Sequence, residues 1–199
     1  MPRPNQNVAE HPAEAWRQNL RGDHDTQLRG PRPEWWWTGL APAACPGRQP
    51  DGTLTALPQP NLATCTREAV LATFDNCWTL TETLFAGLQG EEAFYRPPYH
   101  HLRHPMIFYY CHPAALYINK LRVAGLIDAP LNPYFERIFE TGVDEMRWDD
   151  MSKNEMQWPS FAEAHTYRQQ VYATVRELIQ THPGLADGHA PITLADPLW

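Results

Sequence analysis

Apolar residues recur every three or four positions in three long stretches of the chain, which is the spacing of one face of an α-helix. The first stretch runs from Asn61 to about Gln89, the second from His104 to about Leu126, and the third from Pro159 to His182. No stretch alternates apolar and polar residues as a half-buried strand does. The pattern therefore predicts an all-α protein whose body consists of three long helices.

Each predicted helix has its own set of buried positions. The first is expected to bury Val70, Phe74, Cys77, Trp78, Leu84, Phe85 and Leu88, and the third to bury Phe161, Ala164, Val171, Val175 and Leu178. The second is apolar on nearly every side, which predicts a central position, and it contains Pro113. Ser160 and Glu163 have the spacing of a capping box at the start of the third helix.

The arrangement of these helices indicates an incomplete bundle. Three antiparallel helices of this length usually belong to a four-helix bundle. A short helix is expected near Tyr134 to Glu140, followed by a structured loop. Only 17 residues follow His182, and they are too few and too rich in proline for a fourth helix. We therefore expect residues 61–199 to form a four-helix bundle that lacks its last helix and leaves an apolar face open.

Residues 1–60 differ in composition from this body. They hold half of the 20 prolines, so they are predicted to form a proline-rich extended arm rather than a helix. Within the arm, Trp35, Trp36 and Trp37 would be costly to leave in water, because each indole offers a large apolar area. The arm is expected either to pack on its own body or to dock on a second domain.

The composition of the chain argues against several classes of function. Lys and Arg number 16 against 23 Asp and Glu, a formal net charge of −7, and no basic patch suggests contact with nucleic acid. No run approaches the roughly 20 apolar residues of a membrane span. The four cysteines show no C-x-x-C spacing, which indicates neither a disulfide framework nor a structural zinc site. These features predict a protein of the reducing cytoplasm, with no nucleic-acid or membrane partner.

Histidine is the side chain with the most chemical potential here, because imidazole is a common ligand of iron, zinc and copper. His100, His101 and His104 precede the second helix and are expected to be solvated or capping side chains. His112 lies inside that helix, where a polar ring needs a partner. It is predicted to be either a core histidine bonded to a neighbouring helix or a metal ligand facing the bundle interior.

Two other groups of residues are expected to be structural. Six carboxylates lie close together in the sequence at Glu136, Glu140, Asp144, Glu145, Asp149 and Asp150. Such carboxylates can bind a cation or act as acid and base, but caps and salt bridges are the favoured interpretation. Cys111 is predicted to be a small core residue, because adjacent helix positions diverge by about 100° and its thiol cannot face His112.

Three segments carry a resemblance to a known family. They are AFYRPPYHHLRHPMIFYYCHPAALYINKLRVAGL, LNPYFERIFETGVDEMRWDDMSKN and WPSFAEAHTYRQQVY. From about Trp35 to Trp199 the chain resembles the N-terminal part of ovothiol synthases, the 5-histidylcysteine sulfoxide synthases. The resemblance implies a DinB-type four-helix bundle, followed in the family by a domain similar to the formylglycine-generating enzyme. It also implies a mononuclear non-haem iron(II), Fe(II), which uses dioxygen to join the sulfur of cysteine to C5 of histidine.

The resemblance gives one residue a specific role. The family's FYY-x-H segment is Phe108 to His112 here, which implies that His112 is an iron ligand. The family's other two ligands belong to an H-x-x-x-H-x-E motif on the fourth helix, and this sequence does not contain that motif. The chain is thus expected to be inactive alone and to depend on a missing C-terminal domain or on a partner chain.

Two other functions stay open at this point. The chain could be a non-catalytic DinB-like helical module that binds a partner chain supplying the remaining ligands. It could also be a simpler DinB-type hydrolase or transferase that uses zinc or nickel, which would need ligands that the sequence does not show.

Overall fold

The computed structural model of the protein describes residues 24–61, 64–100, 103–140 and 157–183. The helices in these ranges are α1 (Arg67–Phe85), α2 (Glu92–Tyr95), α3 (Met106–Val123), α4 (Pro133–Glu140) and α5 (Phe161–Thr181). These ranges contain no strand, only an isolated antiparallel bridge between Arg48 and Leu54. The all-α prediction is confirmed, with three long helices as expected. None of the described helices is both long and apolar enough to cross a membrane.

Capping side chains explain where two of the long helices begin. The hydroxyl of Thr66 accepts a hydrogen bond from the amide of Ala69, so α1 begins at Arg67 rather than near Asn61. Ser160 and Glu163 form the predicted capping box at the start of α5. At the start of α3, Pro105 is the N-cap residue.

Helix α3 is the centre of the bundle, as its apolar composition predicted. It packs against both α4 and α5, and α5 packs in turn against α1. Pro113 lies inside α3, where it removes one backbone donor without ending the helix. The most deeply buried side chains of α3 are Ile107, Tyr110, Cys111, Ala114, Ala115 and Ile118.

The buried face of α1 differs most from the predicted one at two positions, while Val70, Phe85 and Leu88 are half-buried. Phe74 and Trp78 are buried as expected, but Cys77 is exposed and the Leu84 side chain is 79% exposed. Residues 77 and 84 each lie one position before a core-facing residue, so they are rotated by about 100° toward solvent. Glu82, which the pattern did not predict to be buried, lies on the buried face of α1. In α5 the same one-residue shift leaves Leu178 half-buried and buries Ile179.

The described part of the arm, residues 24–60, packs on the chain's own helices. Trp36 is fully buried, and its indole stacks on Tyr110 and on Phe161 with ring centroids 5.8 and 5.7 Å apart. The arm comes so close to the bundle that a Cβ at Gly39 would lie 2.6 Å from Cδ1 of Trp78. Of the two predicted locations, packing on its own body is therefore the one observed. The arm includes two short 3-10 helices, Glu34–Trp36 and Pro42–Ala44.

Some sequence predictions concern residues outside the described ranges. They are residues 1–23 of the arm, His101, the loop with Asp144, Glu145, Asp149 and Asp150, and residues 184–199, where no fourth helix was expected.

Candidate functional site

His112 lies near the middle of α3 and is partly buried. Its Nδ1 is hydrogen bonded to the backbone carbonyl oxygen of Phe139, in the last turn of α4. The last four carbonyl groups of a helix have no partner within the helix, so α4 has an acceptor available at this end. No hydrogen bond involves Nε2 of His112 within the described ranges. The imidazole is thus bonded to a neighbouring helix through one nitrogen and keeps the other for a further partner.

A row of three rings runs along α3 at positions 104, 108 and 112. The Phe108 ring contacts the His104 ring at 4.2 Å with a tilt of 35°, and it is stacked with His112 at 4.9 Å between ring centroids. Because the three residues follow one another at intervals of four, Phe108 lies between the two imidazoles. A metal ion binds imidazole nitrogen at about 2 Å, so one ion cannot take both rings in this arrangement.

His104 is buried, which corrects the expectation of a solvated or capping side chain. Its side chain is packed against Phe108 and Trp158, and the residue is 6% exposed. Neither ring nitrogen has a hydrogen-bond partner among the described residues. Burial, with a smaller contribution from His112, lowers the pKa of His104 to about 4, so the ring is neutral near pH 7. His100, by contrast, is exposed as expected.

The sequence did not single out His165, which is the other buried histidine of the described chain. It lies in α5 and is 7% exposed. Nε2 is 2.8 Å from the Trp35 carbonyl oxygen and Nδ1 is 3.2 Å from the hydroxyl of Tyr110. Burial lowers the pKa of His165 to about 4, against a smaller opposing effect of the Trp35 hydrogen bond. Both nitrogens are therefore used to join the arm, α3 and α5, and neither remains for a ligand.

Glu136 has the structural role that was expected of the acidic group. One carboxylate oxygen accepts the amides of Leu131 and Asn132, at 2.8 and 3.0 Å, before the start of α4. The other oxygen lies 3.6 Å from the Arg122 guanidinium. This carboxylate is used to cap α4 and to tie it to α3.

Cys111 is a core residue, as its neighbourhood in the sequence predicted. The side chain is fully buried, and burial raises the pKa of its thiol to about 12. A buried thiol of this kind is not a nucleophile at neutral pH, because the thiolate is the reactive form.

The number of possible ligands limits what this site can do alone. Catalytic metal sites commonly have three protein ligands and an open position for substrate. The described residues contain no group of three His, Cys, Asp or Glu side chains that could share a metal ion. His112 fits one ligand position, because metal-binding histidines usually bond a carbonyl or carboxylate through their other nitrogen. The described residues therefore fit one ligand of an iron centre and not a complete centre.

Comparison with known proteins assigns the chain to no family. No family model matches the chain, and no curated protein matches it.

Proposed function

We propose that this chain is part of a non-haem iron(II), dioxygen-dependent 5-histidylcysteine sulfoxide synthase, to which it contributes His112 as one iron ligand. The proposal rests on the resemblance in sequence, and the observation that supports it most is the bond between Nδ1 of His112 and the Phe139 carbonyl. That bond leaves Nε2 for a metal ion, which is the arrangement of many metal-binding histidines. The other ligands would come from a partner chain or domain with the H-x-x-x-H-x-E motif.

The proposed reaction joins two amino acids and oxidises sulfur. Bound iron(II) would supply the activation of dioxygen. The cysteine S–H and the histidine C5–H are lost and a C–S bond forms, while one oxygen atom enters the sulfoxide and the other leaves as water. Because the substrate is a free thiol, the reaction suits a reducing cytoplasm.

Genetic complementation in the source cells tests this proposal, and it does not require the partner chain to be identified. Deletion of the gene is expected to abolish 5-histidylcysteine sulfoxide, measured by mass spectrometry, and the unaltered gene should restore it. His112→Ala should fail to restore the product although the protein accumulates normally. His182→Ala is the matched control, because His182 caps the end of α5, where its carbonyl oxygen accepts from Arg67. Undiminished product after deletion, or full rescue by His112→Ala, would reject the role proposed for this chain.

A non-catalytic module that binds a partner chain is the second candidate. It is favoured by the lack of a three-ligand group among the described residues and by apolar side chains on the surface of α3. Met106, Tyr117 and Val123 are 44%, 37% and 87% exposed. In the same complementation, rescue by His112→Ala combined with failure of Val123→Asp would favour this module over the enzyme part.

A further inference from the structure

We propose that α4 positions His112: the Phe139 carbonyl fixes the Nδ1–H tautomer of this imidazole, so that Nε2 is its metal-binding atom. We further propose that Asn119 and Glu136 are the positioning residues that hold this carbonyl in place. This inference names the atom of His112 that binds the metal ion, and it rests on the proposed function for its role in an enzyme. The tautomer itself is a property of this chain and can be measured without iron.

The hydrogen bond to Phe139 requires a proton on Nδ1 of His112. A carbonyl oxygen can only accept a hydrogen bond, so Nδ1 of His112 must carry the proton in the bond to Phe139. In a neutral imidazole the other nitrogen then has a free lone pair. Nε2 of His112 forms no hydrogen bond with any residue that the structure describes, so this lone pair is not used within that part of the chain.

Hydrogen bonds of Asn119 and Glu136 hold α4 in place against α3. The side-chain amide of Asn119, about two turns further along α3 than His112, donates to the Glu136 carbonyl oxygen at 3.0 Å. Asn119 is 8% exposed and Glu136 is 2% exposed, so these bonds are shielded from water. Glu136 also caps the start of α4 through the amides of Leu131 and Asn132.

Helix α4 connects these hydrogen bonds rigidly to the Phe139 carbonyl. Phe139 follows Glu136 by three residues, so both belong to adjacent turns of the same eight-residue helix. The Phe139 ring is fully buried and stacks on Trp158 at 5.9 Å between centroids. Fixing Glu136 against α3 therefore fixes the depth and rotation at which α4 presents the Phe139 carbonyl to His112.

Long-range proton–nitrogen correlation spectra of the protein with ¹⁵N-labelled histidine measure this tautomer directly. At about pH 8, where free imidazole is neutral, we expect His112 to show a protonated Nδ1 and an unprotonated Nε2. His112→Ala identifies the signal. In a titration with Co(II) alone, the paramagnetic shifts should indicate coordination through Nε2. A protonated Nε2, or coordination through Nδ1, would overturn the proposal.

Variants of the positioning residues test the second part. Asn119→Ala and Glu136→Ala should each populate the Nε2–H tautomer and weaken Co(II) binding at His112 by about tenfold or more. Glu136→Gln keeps a side-chain oxygen that accepts from the amides of Leu131 and Asn132. Unlike Glu136→Ala, it should therefore keep the wild-type tautomer. Asn76→Ala is the matched control, because Asn76 is 1% exposed and bonds Thr55 and Leu57 of the arm, away from α4. It should reduce stability and leave the tautomer unchanged.

The outcomes separate this inference from the proposed function. If Asn119→Ala and Asn76→Ala change the tautomer equally, general loosening of the fold explains the effect and the positioning role is wrong. If one of the two alanine variants fails to fold, the other alanine variant and Glu136→Gln still test the positioning role. A wild-type Nδ1–H tautomer together with His112-independent sulfoxide formation in cells would reject the proposed function and leave the inference on α4 intact.

Discussion

His165 shows how one buried side chain can join three parts of this protein. Because the Trp35 carbonyl oxygen is an acceptor, Nε2 carries the proton, and Nδ1 is left to accept from the hydroxyl of Tyr110. The ring must be neutral to make both bonds. Arg168 and His24 lie near enough to oppose a positive charge on it, in addition to the effect of burial.

The protein is expected to lose stability when it is acidified through the titration range of His165. Its pKa falls from 6.5 when free to about 4 in the fold, so between these values the unfolded chain binds a proton that the folded chain excludes. The contribution of His165 is fully present above pH 6.5, falls as the pH decreases, and levels off below about pH 4. At most about 3 kcal/mol of unfolding free energy depends on it. Urea unfolding near pH 7.5 and near pH 4.5 measures this loss.

A variant isolates the His165 share from that of His104, which has a similarly lowered pKa. His165→Gln keeps a donor and an acceptor but does not titrate, so it should reduce the pH dependence between these two conditions. Leu84→Ala, which truncates an exposed side chain and changes no titratable group, should keep the wild-type dependence. Equal pH dependence in the wild type and in His165→Gln would show that His165 is not held neutral by the fold.

Individual residues of the candidate site were predictable only in part. Helical periodicity and the family resemblance both pointed to His112. The partner of His112 was not predictable, because Phe139 is 27 residues away and the contact depends on how α4 is rotated against α3. His104 was expected at a wet end of the bundle, but Trp158, from the segment before α5, covers it. Single-sequence patterns do not contain such contacts between distant segments.

At the scale of elements, α1 and α5 are joined by a buried ion pair. The Arg168 guanidinium lies 3.3 Å from a Glu82 oxygen, and both side chains are at most 1% exposed. Arg168 also donates to the Tyr110 carbonyl oxygen at 2.6 Å and lies over the ring of Trp78, 4.6 Å from its centroid. Glu82 accepts the amide of Thr38 at 3.1 Å. With so many partners, each charge is compensated although it is removed from water.

Removing one member of this pair should destabilise the protein more than removing both. Glu82→Gln or Arg168→Met leaves the opposite charge buried and unpaired, which is expected to cost about 3–5 kcal/mol. The double variant leaves neither charge unpaired, so it should lose less unfolding free energy than either single variant and therefore less than their sum, measured by urea unfolding in a double-mutant cycle.

An exposed pair provides the control for this cycle. Arg96 and Glu92 are 3.2 Å apart with side chains 73% and 42% exposed, so Glu92→Gln should change the unfolding free energy by less than about 1 kcal/mol. Additive effects of Glu82→Gln and Arg168→Met would contradict the coupling of α1 to α5 through these charges.

The elements themselves were the most predictable level of this structure. Periodicity located α1, α3 and α5, and Ser160 with Glu163 marked the start of α5. The four-residue helix α2 was missed, since a segment this short has no periodicity to detect. The buried charge of Glu82 was missed for another reason: a carboxylate is expected on the surface, and only the distant Thr38 and Arg168 make its burial favourable.

At the scale of the whole molecule, the arm and the bundle form one hydrophobic core. Trp36 belongs to the same buried cluster as Tyr110 of α3 and Phe161 of α5. Polar contacts extend this attachment along the arm, because Thr79 donates to the Leu40 carbonyl oxygen and Asn76 bonds Thr55 and Leu57. Proline content predicted an arm without long helices, and the described part of the arm contains only two short 3-10 helices. Proline content could not predict that the arm supplies core side chains.

This shared core predicts that the arm and the bundle unfold together. Trp36→Ala removes a fully buried indole and is expected to cost about 3–5 kcal/mol of unfolding free energy. Hydrogen exchange should accelerate at the amides of Thr38 and Leu57, whose acceptors Glu82 and Asn76 belong to α1. Urea unfolding and exchange measured by mass spectrometry test both effects.

Leu84→Ala is the matched control, because it also truncates a large apolar side chain but at a position 79% exposed. It should change the unfolding free energy by less than about 0.5 kcal/mol. If Trp36→Ala accelerated exchange in the arm and left the unfolding free energy of the helices unchanged, the arm would be an independent attachment. A joint loss of stability in the arm and in α3 and α5 would instead follow from Trp36 filling the space between Tyr110 and Phe161.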